Sequence, residues 1–462
     1  MSSADAAPTS LAARSGRDRA GTPGSAERPV PADGAAGGPA GGGLRLLRGL
    51  RVDGAPLTLT EHLAAHGMLP VSGHDLVGLA EASGLLGRGG AGFPLGTKLR
   101  AARTASTSRR RPVVVVNAAE SEPASRKDYV LVTRTPHLVL DGAAAAALAI
   151  GATQAVIWLH RGRPQMGAAL EAAMAERVAA RLADPTFRLV AGPDRYVSGQ
   201  AVAAVAHLGG GRAVPFPSPV PMARRGLGGR PTLVSNAETL AHLALLVRHG
   251  AAAFRAAGTA AEPGTMLVTV IGAVTTPGVI EAPVGTAVAQ LLQAAGGVST
   301  AAPRALLVGG YAGSWLPAQS VDLPYSRAGL ASAGADPGVA MVVVLPADSC
   351  PVMETARLAG WLADERVGQC GPCLNGLPAL AAESRVLACG GPDAAGAPAR
   401  LRRWAGMVEG RGACHHPDGV VRLVRSLLLG FEHEVASHAA GNPCRAAVPS
   451  IVLPGRGDGA WR

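Results

Sequence analysis

The stretch 83–99, which reads SGLLGRGGAGFPLGTKL, constrains the fold more than any other part of the chain. It holds six glycines around Arg88 and ends beside Lys98. Glycine lets a ligand approach the backbone closely, and successive free amides in such a loop form a concavity that binds anions. A helix predicted over 95–103 directs its positive N-terminus at the same place. The stretch therefore predicts a site for a phosphate-bearing cofactor.

The same glycines also match the dinucleotide pattern G-x-G-x-x-G, at Gly87, Gly89 and Gly92. That fingerprint requires a strand before it. The apolar spacing of residues 75–82 predicts a helix instead, and the strand follows only at 113–116. The loop is thus not a standard Rossmann turn. The alternative is a flexible loop without a ligand, but the glycine density and the two cations favour a binding loop.

Composition indicates the kind of partner. The chain has 462 residues, so about two to four domains are expected. Its net charge of +11 suits nucleic acid or an acidic protein. Aromatic residues make up only 3%, and no basic motif accompanies them, which argues against nucleic acid. A small acidic electron carrier is the partner that the charge favours.

Location and cofactor class are indicated by the termini and the cysteines. Residues 1–43 are Ala, Gly, Ser and Pro with scattered charge, and predict a disordered tail. We find neither a signal-like segment nor a run of about twenty apolar residues, so we expect a cytoplasmic protein without a membrane span. The six cysteines cluster near the C-terminus, which suggests a metal rather than disulfides.

Alternating strands and helices after the glycine loop predict an α/β domain. Four valines at 113–116 predict a buried parallel strand, and Asn117, Glu120 and Glu122 follow directly. Ligands of open α/β sheets bind at the carboxyl ends of strands. Further strands are predicted at 154–160 and 187–191, and further helices at 60–66, 137–150 and 165–182, with Thr60 capping the first of these.

The C-terminal part carries a C-x-x-C at Cys370 and Cys373, and Cys414 precedes a helix predicted over 420–435. Thiolates at this spacing hold iron–sulfur clusters, but zinc or a redox pair fits a lone C-x-x-C as well. Cys350 stands just before a predicted helix at 354–363, and we expect it to be buried.

Several segments together resemble one family. GRGGAGFP with a following Lys, NAAESEPA after the valine strand, YVSGQ, and PTLVSNAETL are similar to motifs of the NADH-binding flavoprotein subunit of respiratory complex I. Related subunits occur in NAD-linked hydrogenases and formate dehydrogenases. The resemblance runs over 76–435. It implies an α/β, Rossmann-like FMN-binding domain, a β-grasp (ubiquitin-like) insert and a C-terminal helical bundle that carries a [4Fe–4S] cluster.

The resemblance also implies domain boundaries and site residues. We expect a tail at 1–43, an FMN domain at 44–255, a β-grasp domain at 256–346, a cluster domain at 347–440 and a tail at 441–462. The residues that would bind FMN are Gly87, Arg88, Gly89, Lys98, Asn117, Glu120, Tyr196, Gly199, Asn236 and Thr239. Phe93 and Glu122 would face the nicotinamide.

The chain departs from the family pattern at both cofactors. On the flavin side, the family's Asp is Ala119 in this chain. On the nucleotide side, the family's glutamate pair is Gln200 and Ala201, its Lys is Ser218 and its Phe is Pro221. This predicts weak NADH turnover. At the cluster Val367 replaces the first of four ligand cysteines, which leaves Cys370, Cys373 and Cys414. The residues close enough in sequence to supply a fourth ligand are Cys389, His415, His416 and Cys444.

These observations predict an FMN- and iron–sulfur-dependent oxidoreductase subunit that passes electrons between NAD(P)H, or another reductant, and a protein acceptor. The acceptor would be a partner redox subunit or a carrier such as a ferredoxin, and electrons can also run the other way. The alternative is a degenerate paralogue that keeps the fold as a structural or regulatory subunit.

Overall fold

A computed structural model describes residues 45–70, 75–299, 302–444 and 448–455. The tail predicted at 1–43 and much of the one at 441–462 lie outside these residues. In the described part, no helix has both the length and the apolar character that crossing a membrane requires.

The first part of the chain alternates helices with strands. The strands are β1 Val113–Asn117, β2 Gln154–His160, β3 Thr186–Gly192 and β4 Thr232–Asn236. The helices are α1 Leu59–His66, α2 Leu76–Ser83, α3 Leu95–Thr104, α4 Lys127–Arg134, α5 Pro136–Ile150, α6 Pro164–Ala179, α7 Ala201–Leu208 and α8 Ala237–Arg255. The four strands form a parallel sheet in the order β3-β2-β1-β4.

The valine strand lies inside this sheet with helices on both faces. Val114 and Val116 belong to the larger core, and Val115 belongs to a smaller core on the other face with Trp158. All four valines are buried, as expected for a central strand of a parallel sheet. The helix before the glycine loop and the strand after α3 confirm that the loop is not a standard Rossmann turn.

The first helix begins earlier than predicted. Thr58, not Thr60, is its N-cap, because the Thr58 side chain accepts from the Glu61 amide while the Glu61 carboxylate accepts from the Thr58 amide. This reciprocal capping box satisfies two amides that would otherwise stay unpaired at the start of the helix.

A second sheet follows. Its strands are β5 Thr265–Gly272, β6 Gly278–Pro283, β7 Ala305–Val308, β8 Ser314–Pro317 and β9 Met341–Leu345, with helices α9 Val288–Ala294 and α10 Arg327–Ala331. The order is β6-β5-β9-β7-β8, with β5 parallel to β9 and the other pairs antiparallel. A hairpin, a helix and a parallel return strand are the β-grasp arrangement predicted from the sequence.

The C-terminal part is helical, as predicted. Its helices are α11 Pro351–Asp364, α12 Leu377–Cys389, α13 Ala397–Val408, α14 His416–Gly430 and α15 Glu432–Ala439. The single helix predicted over 420–435 is wrong. The chain leaves helical geometry at buried Phe431, where φ is −137°, and α15 starts in a new direction.

Buried histidines between α1 and α5 make the stability sensitive to acid. The ring of His62 lies 5.1 Å from that of His66 and 5.5 Å from that of His137. Burial, and then the charge of neighbouring His62, lowers the pKa of His66 to about 4. An unfolded histidine titrates near about 6.5, so the unfolded state takes up this proton first as the pH falls.

We therefore expect His66 alone to lower the free energy of unfolding by roughly 2 kcal/mol as the pH falls from about 7 to about 5. His66→Phe should remove this share of the pH dependence, whereas His433→Phe, at an exposed position, should leave it unchanged. Urea unfolding at both pH values measures the difference. Equal pH dependence in both variants would contradict the prediction.

Candidate functional site

The glycine loop closes on itself between α2 and α3. The Gly87 amide donates to the Phe93 carbonyl at 3.0 Å, and the Leu95 amide donates to the Leu85 carbonyl at 2.9 Å. Gly92 has a φ of 62°, and a Cβ there would lie 2.4 Å from the Nε atom of Arg327. The loop therefore requires glycine both for its backbone conformation and for its packing against α10.

Arg88 fastens the glycine loop to neighbouring elements through its backbone and its side chain. Its backbone amide donates to the Thr239 hydroxyl at 2.8 Å, which fastens the loop to α8. Its guanidinium is buried beneath the loop, donates to the Pro263 carbonyl at 2.9 Å, and feels the charges of Glu238 and Glu262. The two carboxylates partly balance its charge, while its Nε atom is buried without a partner among the described residues, so a contact between the Arg88 side chain and a bound anion stays a prediction.

Lys98, in contrast, is a cation with few contacts to its side-chain ammonium group. Its ammonium lies 3.3 Å from the Val234 carbonyl and 5.8 Å from the centre of the exposed Phe93 ring. Burial lowers its pKa, and no carboxylate lies within ion-pair distance in the part of the chain that the structure describes. A buried ammonium is unfavourable without an anion, so this position favours a bound phosphate.

The two predicted asparagines lie side by side at the ends of neighbouring strands. Asn117 ends β1 and Asn236 ends β4, and the two residues are partners in the parallel register. Asn117 donates its amide hydrogen to the Gly199 carbonyl at 2.8 Å. A Cβ on Gly89 would lie 3.2 Å from the Cβ of Asn236, so the glycine loop directly covers this edge. The structure thus brings together the loop, Lys98 and the asparagine pair.

A buried network of charged side chains fixes the side chain of Asn236. Its side-chain amide donates to Asp128 at 2.8 Å, and Lys127 bridges Asp128 at 3.0 Å and Glu238 at 2.9 Å. Such a network holds the amide in one orientation. Lys127 and Asp128 therefore position the Asn236 side chain.

Glu120 is also structural. Its carboxylate accepts from the Ser125 hydroxyl at 2.6 Å and from the Asp128 and Tyr129 amides at 3.0 Å each. These amides open α4, so Glu120 caps that helix. Both oxygens accept hydrogen bonds and so order the loop after β1, and the role of Glu120 in FMN binding stays a prediction.

Glu122 lies where the flavin-site loops meet the β-grasp domain. One oxygen accepts from the Tyr311 amide at 3.2 Å and approaches the Tyr196 hydroxyl at 3.5 Å. The other oxygen is buried with no partner within the described residues. Burial raises the pKa of Glu122 to about 8. A buried, unsatisfied carboxyl group with a raised pKa is a feature of functional sites.

The YVSGQ turn joins the flavin edge to the cysteines. A Cβ on Gly199 would lie 2.0 Å from the Ser121 hydroxyl, so the turn packs tightly on the loop after β1. The Tyr196 amide donates to Glu365 at 2.9 Å, just ahead of the cysteine loop. The Gln200 side chain lies close enough to the Cys414 thiol to favour its charged form, although burial raises the pKa of Cys414 overall. Glu365 and Gln200 were not predicted to link the two sites, because their partners are distant in sequence.

The three predicted thiols lie close enough for the Cys370 and Cys414 thiols to influence the pKa of Cys373. Burial is the main cause that raises the pKa of Cys373, and the neighbouring thiols of Cys370 and Cys414 raise it further. The Gly368 amide donates to the Cys373 thiol. Val367 is half-buried on the same loop. Three thiols and amide donors match what an iron–sulfur cluster requires, with one ligand missing.

The structure separates the candidates for the missing ligand. Cys389 ends α12, and Cys444 donates its amide to His438, whose ring contacts the carbonyls at that same helix end. Cys373 stands before the start of α12, which has 13 residues, so both cysteines are about 20 Å away. These two candidates are wrong.

The two histidines stay beside Cys414. His415 has a 98% exposed side chain next to Asp418. His416 is buried, with Nε2 2.8 Å from the Leu362 carbonyl and Nδ1 without a partner among the described residues. Burial lowers the pKa of His416 to about 4, so it is neutral at physiological pH.

Three family models match the chain. The Nuo51 FMN-binding domain matches residues 80–245, the NADH-ubiquinone oxidoreductase-F iron-sulfur binding region matches residues 353–438, and the SLBB domain matches residues 267–310. These ranges contain the glycine loop with its asparagines, the three thiols, and the β-grasp hairpin, respectively.

Individual proteins similar to this chain indicate the same family as the family models. The F subunit of NADH-quinone oxidoreductase from Mycobacterium bovis is 31% identical over 382 residues, which cover 80% of this chain and 86% of that protein. Its Escherichia coli counterpart is 30% identical over 405 residues, 83% of this chain and 90% of that protein. A crystal structure of NAD+-reducing [NiFe]-hydrogenase in the H2-reduced state has a TM-score of 0.72 at 30% identity, covering 80% of this chain but only 63% of that one.

Fold and site together define an FMN- and iron–sulfur-dependent electron-transfer oxidoreductase subunit. Its FMN-binding and [4Fe–4S]-binding domains are both present, with Val367 in place of a ligand cysteine. The chain belongs to the family of NADH-quinone oxidoreductase F subunits. The matches to both cofactor domains do not favour a purely structural paralogue.

Proposed function

We propose that this protein passes electrons between a soluble reductant and a partner redox protein, with FMN bound at the glycine loop and a cluster at Cys370, Cys373 and Cys414. FMN supplies the conversion between two-electron and one-electron transfer. The loop amides and Lys98 would hold its phosphate, and Asn117 and Asn236 would contact its ring system. The observation that carries this assignment is Lys98, a partly buried cation beside the asparagine pair that, among the described residues, contacts the Val234 carbonyl and the Phe93 ring but no carboxylate.

Aromatic residues pack between the two cofactor positions and support transfer from one to the other. The Tyr196 ring lies 5.4 Å from that of Trp361 and 5.5 Å from that of His416, and the Tyr311 ring lies 5.8 Å from that of Trp361. Tyr196 and Tyr311 both contact Glu122, whereas Trp361 belongs to the helix that leads to the cysteine loop. The two sites therefore share one packed interface.

The nucleotide side of the proposed site is weakened. Phe93 is exposed near Lys98, where it can contact a nicotinamide. The family's glutamate pair is Gln200 and Ala201 here, and Gln200 lies close to the Cys414 thiol. Ser218 lies on an exposed loop and hydrogen-bonds the Val220 carbonyl. We expect NADH to be a slow reductant, or a different reductant to serve.

Restoring two lost contacts should speed the reaction with NADH. Ser218→Lys with Pro221→Phe should raise the rate of flavin reduction roughly tenfold at a subsaturating NADH concentration, since a charge-assisted contact is worth about 1.4 kcal/mol or more. Both positions are exposed, so folding should not suffer. Anaerobic stopped-flow absorbance measures the rate, with Ser218→Ala and Pro221→Ala together as the control. Fast reduction of the unmodified chain at low NADH would show that other residues compensate.

An absorption spectrum of anaerobically purified protein tests the assignment as a whole. A flavin double peak with a broad cluster shoulder is expected, and a colourless protein that rejects both cofactors would overturn the assignment.

The net charge of +11 supports an acidic carrier or subunit as the partner. Electron transfer to such a carrier should then slow as salt is added, because screening weakens charge attraction.

A further inference from the structure

A second group of metal-ligating side chains lies far from the flavin and the cluster. Cys350, His438 and Cys444 place their three ligand atoms within 4.8 Å of one another. Cys350 precedes α11, His438 is in the last turn of α15, and Cys444 follows α15. The cluster loop comes after α11, a helix of 14 residues, so about 20 Å separates the two groups.

The histidine has the tautomer that a metal needs. Its Nδ1 atom lies 3.3 Å from the Leu387 carbonyl and 3.2 Å from the Ala388 carbonyl, two acceptors at the end of α12. A nitrogen between carbonyls must carry the proton, so Nε2 of His438 keeps the free lone pair. A backbone carbonyl that orients the ring through the other nitrogen is the usual support of a metal-binding histidine.

The distances also suit a small metal ion. Nε2 of His438 lies 3.4 Å from Sγ of Cys350, and the Cys350 and Cys444 sulfurs lie within 4.8 Å of each other. Tetrahedral zinc with Zn–S of about 2.3 Å and Zn–N of about 2.0–2.1 Å holds such a pair roughly 3.6 Å apart. A metal at Nε2 would replace the 3.2 Å bond that the Cys444 amide now donates to that atom.

We propose that Cys350, His438 and Cys444 bind one Zn²⁺ ion, with water as the fourth ligand. Binding releases one proton from each thiol, and two thiolates neutralise the divalent ion, so the buried site carries no net charge. Sulfur and imidazole in tetrahedral geometry are the donors that zinc prefers. Cys350 and Cys444 lie outside the iron-sulfur match at residues 353–438, so the site is separate from the family's cluster.

The ion would fasten the C-terminal segment to the helices. Beyond Cys444, the Ser349 hydroxyl donates to the Val448 carbonyl at 2.8 Å, and the Ser450 amide donates to Glu354 at 2.7 Å. The Tyr311 hydroxyl donates to the Val452 carbonyl, and the Tyr311 amide donates to Glu122. A zinc ion at the start of this segment would thus stabilise the contact that holds Tyr311, and Tyr311 in turn donates to Glu122.

Metal analysis of the full chain with its cofactors tests the proposal. After anaerobic purification and dialysis against a weak chelator, we expect about one zinc per chain in addition to iron. Cys444→Ser should lose the zinc and keep the iron, Cys370→Ser should do the reverse, and exposed Cys389→Ser should keep both. Inductively coupled plasma mass spectrometry reports both metals at once.

A second measurement does not depend on any variant folding. Unmodified chain, freed of zinc and titrated with Co²⁺ under reducing conditions, should develop thiolate-to-cobalt absorption that saturates at about one equivalent and disappears on zinc addition. Absence of both zinc and the cobalt signal would overturn the proposal. So would zinc retained by Cys444→Ser, or a Cys350–Cys444 disulfide found by mass spectrometry of the anaerobic protein.

Discussion

Lys98→Glu should leave the purified protein with little flavin. The substitution removes a partly buried cation that, in the described part of the chain, contacts the Val234 carbonyl and the Phe93 ring but no carboxylate. It also places a negative charge where the phosphate is proposed to bind. Two unit charges about 4 Å apart interact by about 4 kcal/mol at the effective dielectric of a protein surface. A loss of even about 3 kcal/mol weakens FMN binding more than about 100-fold, at about 1.4 kcal/mol for each factor of ten.

The flavin-to-protein ratio and an FMN titration followed by fluorescence quenching measure the effect. Arg103→Glu is the matched control, because it makes the same charge change at an exposed position of the same helix and should keep its flavin. Lys98→Met separates lost attraction from added repulsion and should bind better than Lys98→Glu. Chromatography of the released flavin should identify FMN rather than FAD. Full occupancy in Lys98→Glu would refute the placement.

The sequence predicted the elements well, because local patterns determine them. The run of valines became β1 with all four residues buried, and the glycine loop lies between two helices as expected. The pairing of Asn117 with Asn236 follows from two strands of one parallel sheet, each ending in asparagine. Where hydrophobic period and strand order place a residue, the sequence was enough.

Side-chain roles were harder to predict, because they depend on partners that are far away along the chain. The Arg88 guanidinium donates to the carbonyl of Pro263, 175 residues later, and the Glu120 carboxylate caps the helix that follows it. Cys444 is close to the cluster cysteines in sequence, yet it contacts His438 beside the C-terminal end of α12, whereas Cys373 precedes the start of that helix. Closeness in sequence is a poor guide to which residue completes a metal site when a rigid helix separates that residue from the other ligands.

Val367→Cys should raise the iron content toward about four per chain, the full cluster of the family. In the unmodified chain, Cys370, Cys373 and Cys414 lie near one another, while Val367 offers no donor on the same loop. The iron next to Val367 would therefore lack a thiolate and be labile. We expect the unmodified protein to be oxygen-sensitive, and often isolated with about three irons or none.

Val367→Ser is the matched control, since it has nearly the size of the cysteine variant without its thiolate, and its iron content should not rise. Both variants and the parent are reconstituted anaerobically and compared by iron analysis and electron paramagnetic resonance. Iron near zero in Val367→Cys would mean that the site is vestigial and would revive the structural-subunit alternative. A full cluster in the parent would mean that another ligand completes it. His416 is then the first to substitute, because its buried Nδ1 has no partner in the described chain and Cys414 is two residues away.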